Sequence, residues 1–295
     1  MKREAAVVAL GMFDGMHMGH RALITRCVRM AGECAAIPAV YSFSNHPQTV
    51  LRNEAPPCLT DAAERKALME ELGVRDVQMP RFTAALAALS PEAFVETLLA
   101  QWDIRALVVG YNYSFAKYGA GTPETLQALG SAHGFPVEVV PPVAFLEEPV
   151  SSTRIRTLIE QGAVRMAAAM LLRPYTLCGT VIRNRQFGRE MGFPTANIWP
   201  EPGRVLPKDG VYVSEAQVGG ERYRAITNVG KNPTVGGERL AVETHLLDFS
   251  GDLYGRRLCV SFLEYMRGEQ RFDSPADLQK RIAADVETAR GYKRT

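Results

Sequence analysis

The sequence predicts two domains: an α/β unit built on a doubly wound parallel sheet over residues 1–172, then a small antiparallel β-barrel with a C-terminal helix over residues 173–295. Three observations carry this reading. The length of 295 residues is about twice the usual domain size of roughly 150. Short β-branched runs alternate with helical patterns as far as Gly162, the signature of a sheet covered on both faces. Beyond Pro174, closely spaced strand-like runs are separated by Gly, Pro, Asn and Asp clusters, the texture of a small barrel.

Each element follows from its residues. Residues 5–10, 37–43, 77–80, 106–109 and 137–140 are short apolar runs of the kind buried in parallel sheets. After His20, the residues Leu23, Ile24, Cys27, Val28 and Ala31 recur at the helical period. Asp61 with Glu64 makes a capping box, and Ser90-Pro91 and Thr122-Pro123 each set an N-cap before a proline at the first helical position. Residues 156–172 read as one helix joining the halves. In the second half, strands are expected at 175–182, 210–218, 223–227, 240–247 and 258–265, with Val218-Gly219-Gly220-Glu221 as a hairpin turn. A last helix opens at Ser274-Pro275 and carries Leu278, Ile282 and Val286 on one stripe.

Composition excludes several classes. The chain has 34 basic and 32 acidic residues. They divide as 16 basic against 17 acidic up to Arg173 and 18 against 15 beyond it, so neither half is a polybasic nucleic-acid module. Five cysteines, Cys27, Cys34, Cys58, Cys178 and Cys259, form no C-x-x-C pair. Buried free thiols in a reducing, cytoplasmic setting are therefore expected, with no zinc and no haem site. The basic start before an apolar run imitates a leader, but the run stops at Asp14 and no small-residue cleavage site follows. No apolar stretch approaches the ~18 residues needed to span a bilayer, so no membrane partner is expected.

The first constellation is Gly11-Met12-Phe13-Asp14-Gly15-Met16-His17-Met18-Gly19-His20, between the first strand and the first helix. Such a junction lies at the carboxyl edge of the sheet, where ligands bind. A helix N-terminus there offers free N–H groups and a positive dipole end to phosphate. His17 and His20 would project from the same side of the first turn and donate to phosphate oxygens as charge builds. By itself the pair also fits a helix surface or a partial metal site. No G-x-x-x-x-G-K-[ST] loop and no G-x-G-x-x-G turn is present. Further along, Ser152 would cap a helix that carries Thr153 and, one turn on, Arg156.

In the second half, Gly188-Arg189-Glu190-Met191-Gly192-Phe193-Pro194-Thr195-Ala196-Asn197 sets loop glycines beside two short polar side chains. Gly188 and Gly192 would let backbone N–H groups wrap phosphate. The Thr195 hydroxyl and Asn197 carbonyl are hard oxygen donors suited to the Mg2+ that accompanies ATP. Glu243 and His245 alternate with Val242 and Leu246 and so share one strand face. A carboxylate held on a rigid strand is a credible general base. A turn with side chain–backbone bonds and a solvated strand face remain open readings of the same residues.

At these residues the chain resembles the family of bacterial bifunctional riboflavin kinase/FAD synthetases. His17-Met18-Gly19-His20 resembles the H-x-G-H signature of nucleotidyltransferases, and Ser151-Ser152-Thr153-Arg154-Ile155-Arg156 matches its partner S-S-T-x-I-R. Gly192-Phe193-Pro194-Thr195-Ala196-Asn197 and Val242-Glu243-Thr244-His245-Leu246-Leu247-Asp248-Phe249 match the kinase signatures, with Asn228-Val229-Gly230-Lys231-Asn232-Pro233-Thr234 between them. The resemblance implies that the N-terminal half joins FMN to ATP, releasing FAD and pyrophosphate, and that the C-terminal half phosphorylates riboflavin, releasing ADP. It implies ATP contacts at Gly11, Phe13, Asp14, Gly15, His17, His20, Ser152, Thr153 and Arg156, with Asn112 facing flavin and nucleotide. Mg·ATP falls to Thr195 and Asn197, and the proton of the ribityl terminal hydroxyl to Glu243. Two departures stand out: Ala116 replaces a usual Gly, and Ser44-Asn45-His46-Pro47 replaces a usual Glu-Pro-His-Pro. A flavin-binding regulator without chemistry is the competing class, and nucleic-acid binding through Arg183, Arg185 and Arg189 a weaker one.

Overall fold

The computed structural model describes residues 3–183, 192–234 and 237–293, with side chains described outside 231–240. The chain forms two compact units, Met1–Ser152 and Thr153–Thr295.

In the first unit, β1 (Ala5–Leu10), β2 (Ile37–Tyr41), β3 (Asp76–Gln78), β4 (Asp103–Gly110) and β5 (Val137–Val140) form a parallel sheet in the order β3-β2-β1-β4-β5. The alternation of β1 explains why helices cover both faces. Ala6, Val8 and Leu10 pack with Phe94, Val95, Leu98, Trp102 and Leu126, whereas Val7 and Ala9 pack with Leu23, Ile24, Cys27, Met30 and Met69. Helix α1 (Met18–Glu33) follows β1, and α2 (Gln48–Leu51) and α3 (Ala62–Glu71) follow β2. Then come α4 (Ala84–Ala87), α5 (Pro91–Leu99) and α6 (Pro123–His133). The expected caps form: Asp61 and Glu64 exchange backbone bonds at 2.8 and 3.1 Å, and Ser90 and Thr122 accept from Ala93 and Thr125. A two-stranded hairpin, β6 (Ala144–Phe145) with β7 (Glu148–Pro149), is an addition that the sequence reading lacks.

The expected single helix at 156–172 is corrected to two, α7 (Ser152–Glu160) and α8 (Val164–Leu171). Gly162 at φ +84° ends the first by taking the left-handed conformation. The Ala163 amide then bonds back to Leu158 O at 2.8 Å.

The barrel of the second unit comprises β8 (Tyr175–Ile182), β9 (Ala196–Ile198), β10 (Gly210–Val218), β11 (Glu221–Thr234), β12 (Gly237–Leu246) and β13 (Arg257–Arg267). It closes antiparallel in the order β10-β11-β12-β9-β8-β13. The expected turn pairs Val218 with Glu221. The three-residue β9, whose Pro-Thr-Ala-Asn sequence leaves a turn open as a reading, is a strand that seals the wall between β12 and β8. Helix α9 (Pro275–Gly291) presents Val286 and Ala289 to Val213, Ile226, Leu247 and Leu263.

The expectation of buried free thiols is also corrected. Cys178 and Cys259 face each other in the β8–β13 register and are joined by a disulfide, a proximity hidden by their separation of 81 residues along the chain. Cys34 is exposed and Cys58 half-buried. Only Cys27 fits the expectation: its thiol lies 3.2 Å from Val7 O, and burial raises its pKa to about 12.

Asp285, 2% exposed, anchors α9 to β13 by accepting from Arg267 Nε and Nη2 at 3.1 and 2.6 Å, with Arg281 Nε at 3.2 Å. Breaking such a pair leaves a cation without its partner in a poorly solvated place. Asp285→Ala is therefore expected to destabilise the α9–barrel packing by about 3 kcal/mol. Hydrogen–deuterium exchange of α9 in the full chain measures it.

Candidate functional sites

The first site is built at the carboxyl end of β1, where the strand order reverses between β1 and β4. Crevices of this kind take ligands in open α/β sheets. The chain leaves β1 through a contorted turn, with positive φ at Phe13 (54°), Gly15 (82°) and Met16 (44°). Phe13 and Met16 are fully buried, and Gly11 lies beneath the Phe13 ring.

Asp14 holds the turn. Its carboxylate accepts from the amides of Leu59 and Thr60 at 3.0 Å and from the Thr60 hydroxyl at 3.2 Å. That hydroxyl receives the Gly15 amide at 2.8 Å. The Asp14 main-chain oxygen accepts the Ser152 hydroxyl at 2.9 Å, joining the second sequence signature to the first.

Beyond the turn, His17 caps α1: its Nδ1 accepts the His20 amide at 3.3 Å. The two imidazoles stack with centroids 3.6 Å apart, and His20 meets the Phe13 ring edge-on. A Cβ at Gly19 would sit 3.2 Å from His17 Cε1, so the residue between the histidines must be small for the cap ring to lie flat. Burial first, then His17, then Arg65, holds the His20 imidazole well below its usual pKa. The helix N-terminus and the two imidazoles thus gather donors where an anion would sit, with the Ser152 hydroxyl tying α7 to the same turn.

Asn112 is exposed just past β4, at the same sheet edge. Thr153 is exposed and Arg156 buried on α7. Sequence reasoning missed Leu59, Thr60 and Arg65. The signal for Arg65 was its place one turn before buried Met69 on the inner stripe of α3. Ala116, standing where a glycine is usual, adopts φ 64° and ψ −175°, a region almost reserved for glycine.

The second site is a cavity of about 720 Å³ at the barrel, bounded by Val181, Arg183, Thr195, Asn197, Phe249 and Tyr254 among others. Asn197 is buried, and its Nδ2 lies 3.5 Å from Thr195 Oγ1. Glu243 is paired in register with Asn197 on one side and Asn228 on the other, so all three share a face. His245, two residues on, is fixed by Pro194 O at 2.8 Å and by the Phe193 ring. Gly192 has φ +84°, whereas Gly188, Arg185 and Arg189 lie outside the described residues. The segment 249–254 was not read as a wall. Its Gly251 (φ 150°) and the Asp252 carboxylate accepting the Tyr254 amide at 2.9 Å shape it, with the Arg183 guanidinium 5.2 Å over the Tyr254 ring.

Comparison with known proteins follows the same division. A family model described as FAD synthetase matches residues 1–154, and one described as riboflavin kinase matches residues 171–293. A bifunctional riboflavin kinase/FMN adenylyltransferase of Listeria monocytogenes is 34% identical over 97% of this chain and 92% of its own. Its counterpart in Escherichia coli K12 is 35% identical over 98% and 93%. A crystal structure described as a macrolide-efflux protein from Streptococcus pneumoniae aligns with TM-score 0.92 and 32% identity, covering 98% of this chain and 95% of that one. Among the described residues of this chain, no helix is long and apolar enough to cross a membrane.

Two predictions follow from the first site. Because native His20 resists a proton that the unfolded chain accepts below about pH 6.5, stability falls as pH drops below that value, by up to about 1.4 kcal/mol per pH unit. His20→Asn removes part of that loss, read as protection of α1 and β1 in hydrogen exchange at pH 7.5 and 5.5. Separately, Ala116→Gly relieves backbone strain of about 1–3 kcal/mol, offset in part by about 0.5–1 kcal/mol of unfolded-chain entropy. Its expected outcome is a higher melting temperature for the first unit.

Proposed function

The chain belongs to the family of bifunctional riboflavin kinase/FMN adenylyltransferases, and from this premise we propose how its residues divide the work. The protein phosphorylates riboflavin to FMN and adenylylates FMN to FAD. We assign adenylyl transfer to residues 1–172 and phosphorylation to residues 173–295.

In the first reaction an FMN phosphate oxygen attacks the α-phosphorus of ATP, the bond to the bridging oxygen breaks, and pyrophosphate leaves. The observation that carries the residue assignment is the stacked His17–His20 pair at the open N-terminus of α1, with the Ser152 hydroxyl tied to the same turn. Neutral His17 uses Nδ1 as cap acceptor, which leaves its Nε2–H to donate to a phosphate oxygen. Gly11, Phe13, Asp14 and Gly15 shape the cradle, Thr153 and Arg156 complete the triphosphate contacts, and Asn112 faces the flavin and nucleotide. Positioning and preorganised donors do most of the work in such transfers.

In the second reaction Glu243 takes the proton of the ribityl terminal hydroxyl as its oxygen attacks the γ-phosphorus, and ADP leaves. Asn197 Nδ2 lies 3.5 Å from Thr195 Oγ1, which sets the two side chains together, and their hydroxyl and amide oxygens are hard donors of the type that fits Mg2+. When bound, the ion would neutralise phosphate charge. Gly192 borders the same nucleotide. The partners are small molecules: riboflavin, FMN, FAD, ATP, ADP and pyrophosphate. Consumption of ATP by both reactions supports a cytoplasmic location.

Independent sites fail independently. Glu243→Gln is expected to slow FMN formation by about 10²–10⁴ while FAD still forms from supplied FMN. His17→Ala with His20→Ala should stop FAD formation and leave FMN accumulating from riboflavin. Chromatography of flavin products from each starting substrate measures both. Loss of both activities in a folded histidine variant would overturn the two-site assignment.

A further inference from the structure

Every residue from Phe249 to Tyr254 lines the cavity of the second site, and the segment leaves β12 through a sharp corner. Asp248 stands there at φ 60°, a left-handed conformation that few residues other than Gly, Asn and Asp tolerate. The corner is held from outside by α9. Arg290, in the last turn of that helix, donates from Nη1 and Nη2 to the two carboxylate oxygens of Asp248 at 2.8 and 2.7 Å. Such a parallel fork fixes direction as well as distance. Leu247, beside it, is buried with Val286 and Ala289 of the same helix, and its amide donates to Arg224 O at 2.8 Å. The Arg224 side chain turns back to the end of α9: Nη2 donates to Tyr292 O at 3.2 Å, and the guanidinium lies 5.5 Å over the Tyr292 ring. Toward the cavity, the Phe249 ring meets Tyr223 edge-on at 5.2 Å. A Cβ at Gly251 would sit 3.1 Å from Phe249 Cζ, so that ring also sets the path of the chain beyond it. Contacts thus run from α9 to the cavity wall.

We propose that Arg290 is a positioning residue of the kinase site: through Asp248 it holds the segment 249–254 in the form that receives the nucleotide. This rests on the assignment of Mg·ATP to Thr195 and Asn197, which line the same cavity. The side chains of Asp248 and Arg290 are 70% and 45% exposed, and an ion pair so exposed adds little to stability. Its two bonds to a strained corner instead determine where the next residues go. Arg290 Nε faces Glu287 at 3.8 Å, so the fork is also aimed from its own helix. With the pair broken, the wall visits other conformations, and a site competent only part of the time binds more weakly by that fraction. The chemistry is spared, because Glu243 and Asn197 are held by the β12–β9 pairing. The signature of the tie is therefore a change in KM for the nucleotide rather than in kcat.

The test uses three full-length variants: Arg290→Gln, Asp248→Asn, which removes the charge yet tolerates the same φ, and the two combined. Each is assayed for FMN formation from riboflavin and Mg·ATP, with FAD formation from FMN in the same preparation as a check on the other half. If loss of the tie leaves the wall competent about a tenth of the time, KM for Mg·ATP rises about tenfold in each single variant. The kcat and the KM for riboflavin should stay within about twofold, as expected when only binding is lost. The double variant should be no worse than either single one, because both remove one interaction. Hydrogen–deuterium exchange without nucleotide should quicken at residues 249–254 in every variant and stay unchanged in β12. A purely structural arginine would quicken exchange along α9 without moving KM. An unmoved KM for Mg·ATP in both single variants, effects that add in the double variant, or an equal rise in both KM values overturns the proposal. If Arg290→Gln does not fold, Asp248→Asn alone decides by the same KM split. Absence of FMN formation by the wild type would overturn the functional assignment instead, and exchange at 249–254 in Arg290→Gln would still judge the tie.

Discussion

The Asp14 carboxylate is the constraint on which the first unit's chemistry depends. Bonds from backbone amides to a buried carboxylate are each worth about 1.5–3 kcal/mol, and Asp14 receives them from both Leu59 and Thr60. That is enough to hold Phe13 and Met16 in left-handed conformations that cost on the order of 1–3 kcal/mol each. The strained turn then delivers α1 with its N-terminus open and capped by an imidazole. Through its main-chain oxygen Asp14 also fixes Ser152, which starts α7. A residue that by type could touch a nucleotide therefore acts largely by arranging others.

Much of this architecture is written in local patterns. β1, β5, β8 and β10 fall on their expected residues because short β-branched runs bounded by turn signals leave little choice. The caps of α3, α5 and α6 are equally legible. What escaped depends on tertiary partners. β9 is three residues long and becomes a strand only because β12 and β8 flank it. The Cys178–Cys259 pairing needs the β8–β13 register.

The sites divide along the same line. The spacing of His17 and His20 announces a shared helix face, and Gly19 explains itself once the cap ring is seen to lie over it. The stacking of the two rings, with centroids 3.6 Å apart, shows only in the fold.

The second site shows how register can serve chemistry. On β12 the side chains alternate, so Glu243 and His245 face one way while Val242, Thr244 and Leu246 are buried the other way. A slip of one residue would exchange these faces and bury the Glu243 carboxylate. The barrel resists this with buried hydroxyls: Ser214 lies 2.7 Å from Thr227, which lies 3.0 Å from Thr244. Slipping would strand those hydroxyls without partners at about 1–3 kcal/mol each, in addition to burying the charge. The hydroxyl chain thus determines which side of the strand carries Glu243. The short β9 completes the arrangement by placing Asn197 opposite Glu243, so the two side chains are brought to one face by a single pairing. Closure of the barrel and the meeting of Asn197 with Glu243 are therefore the same event.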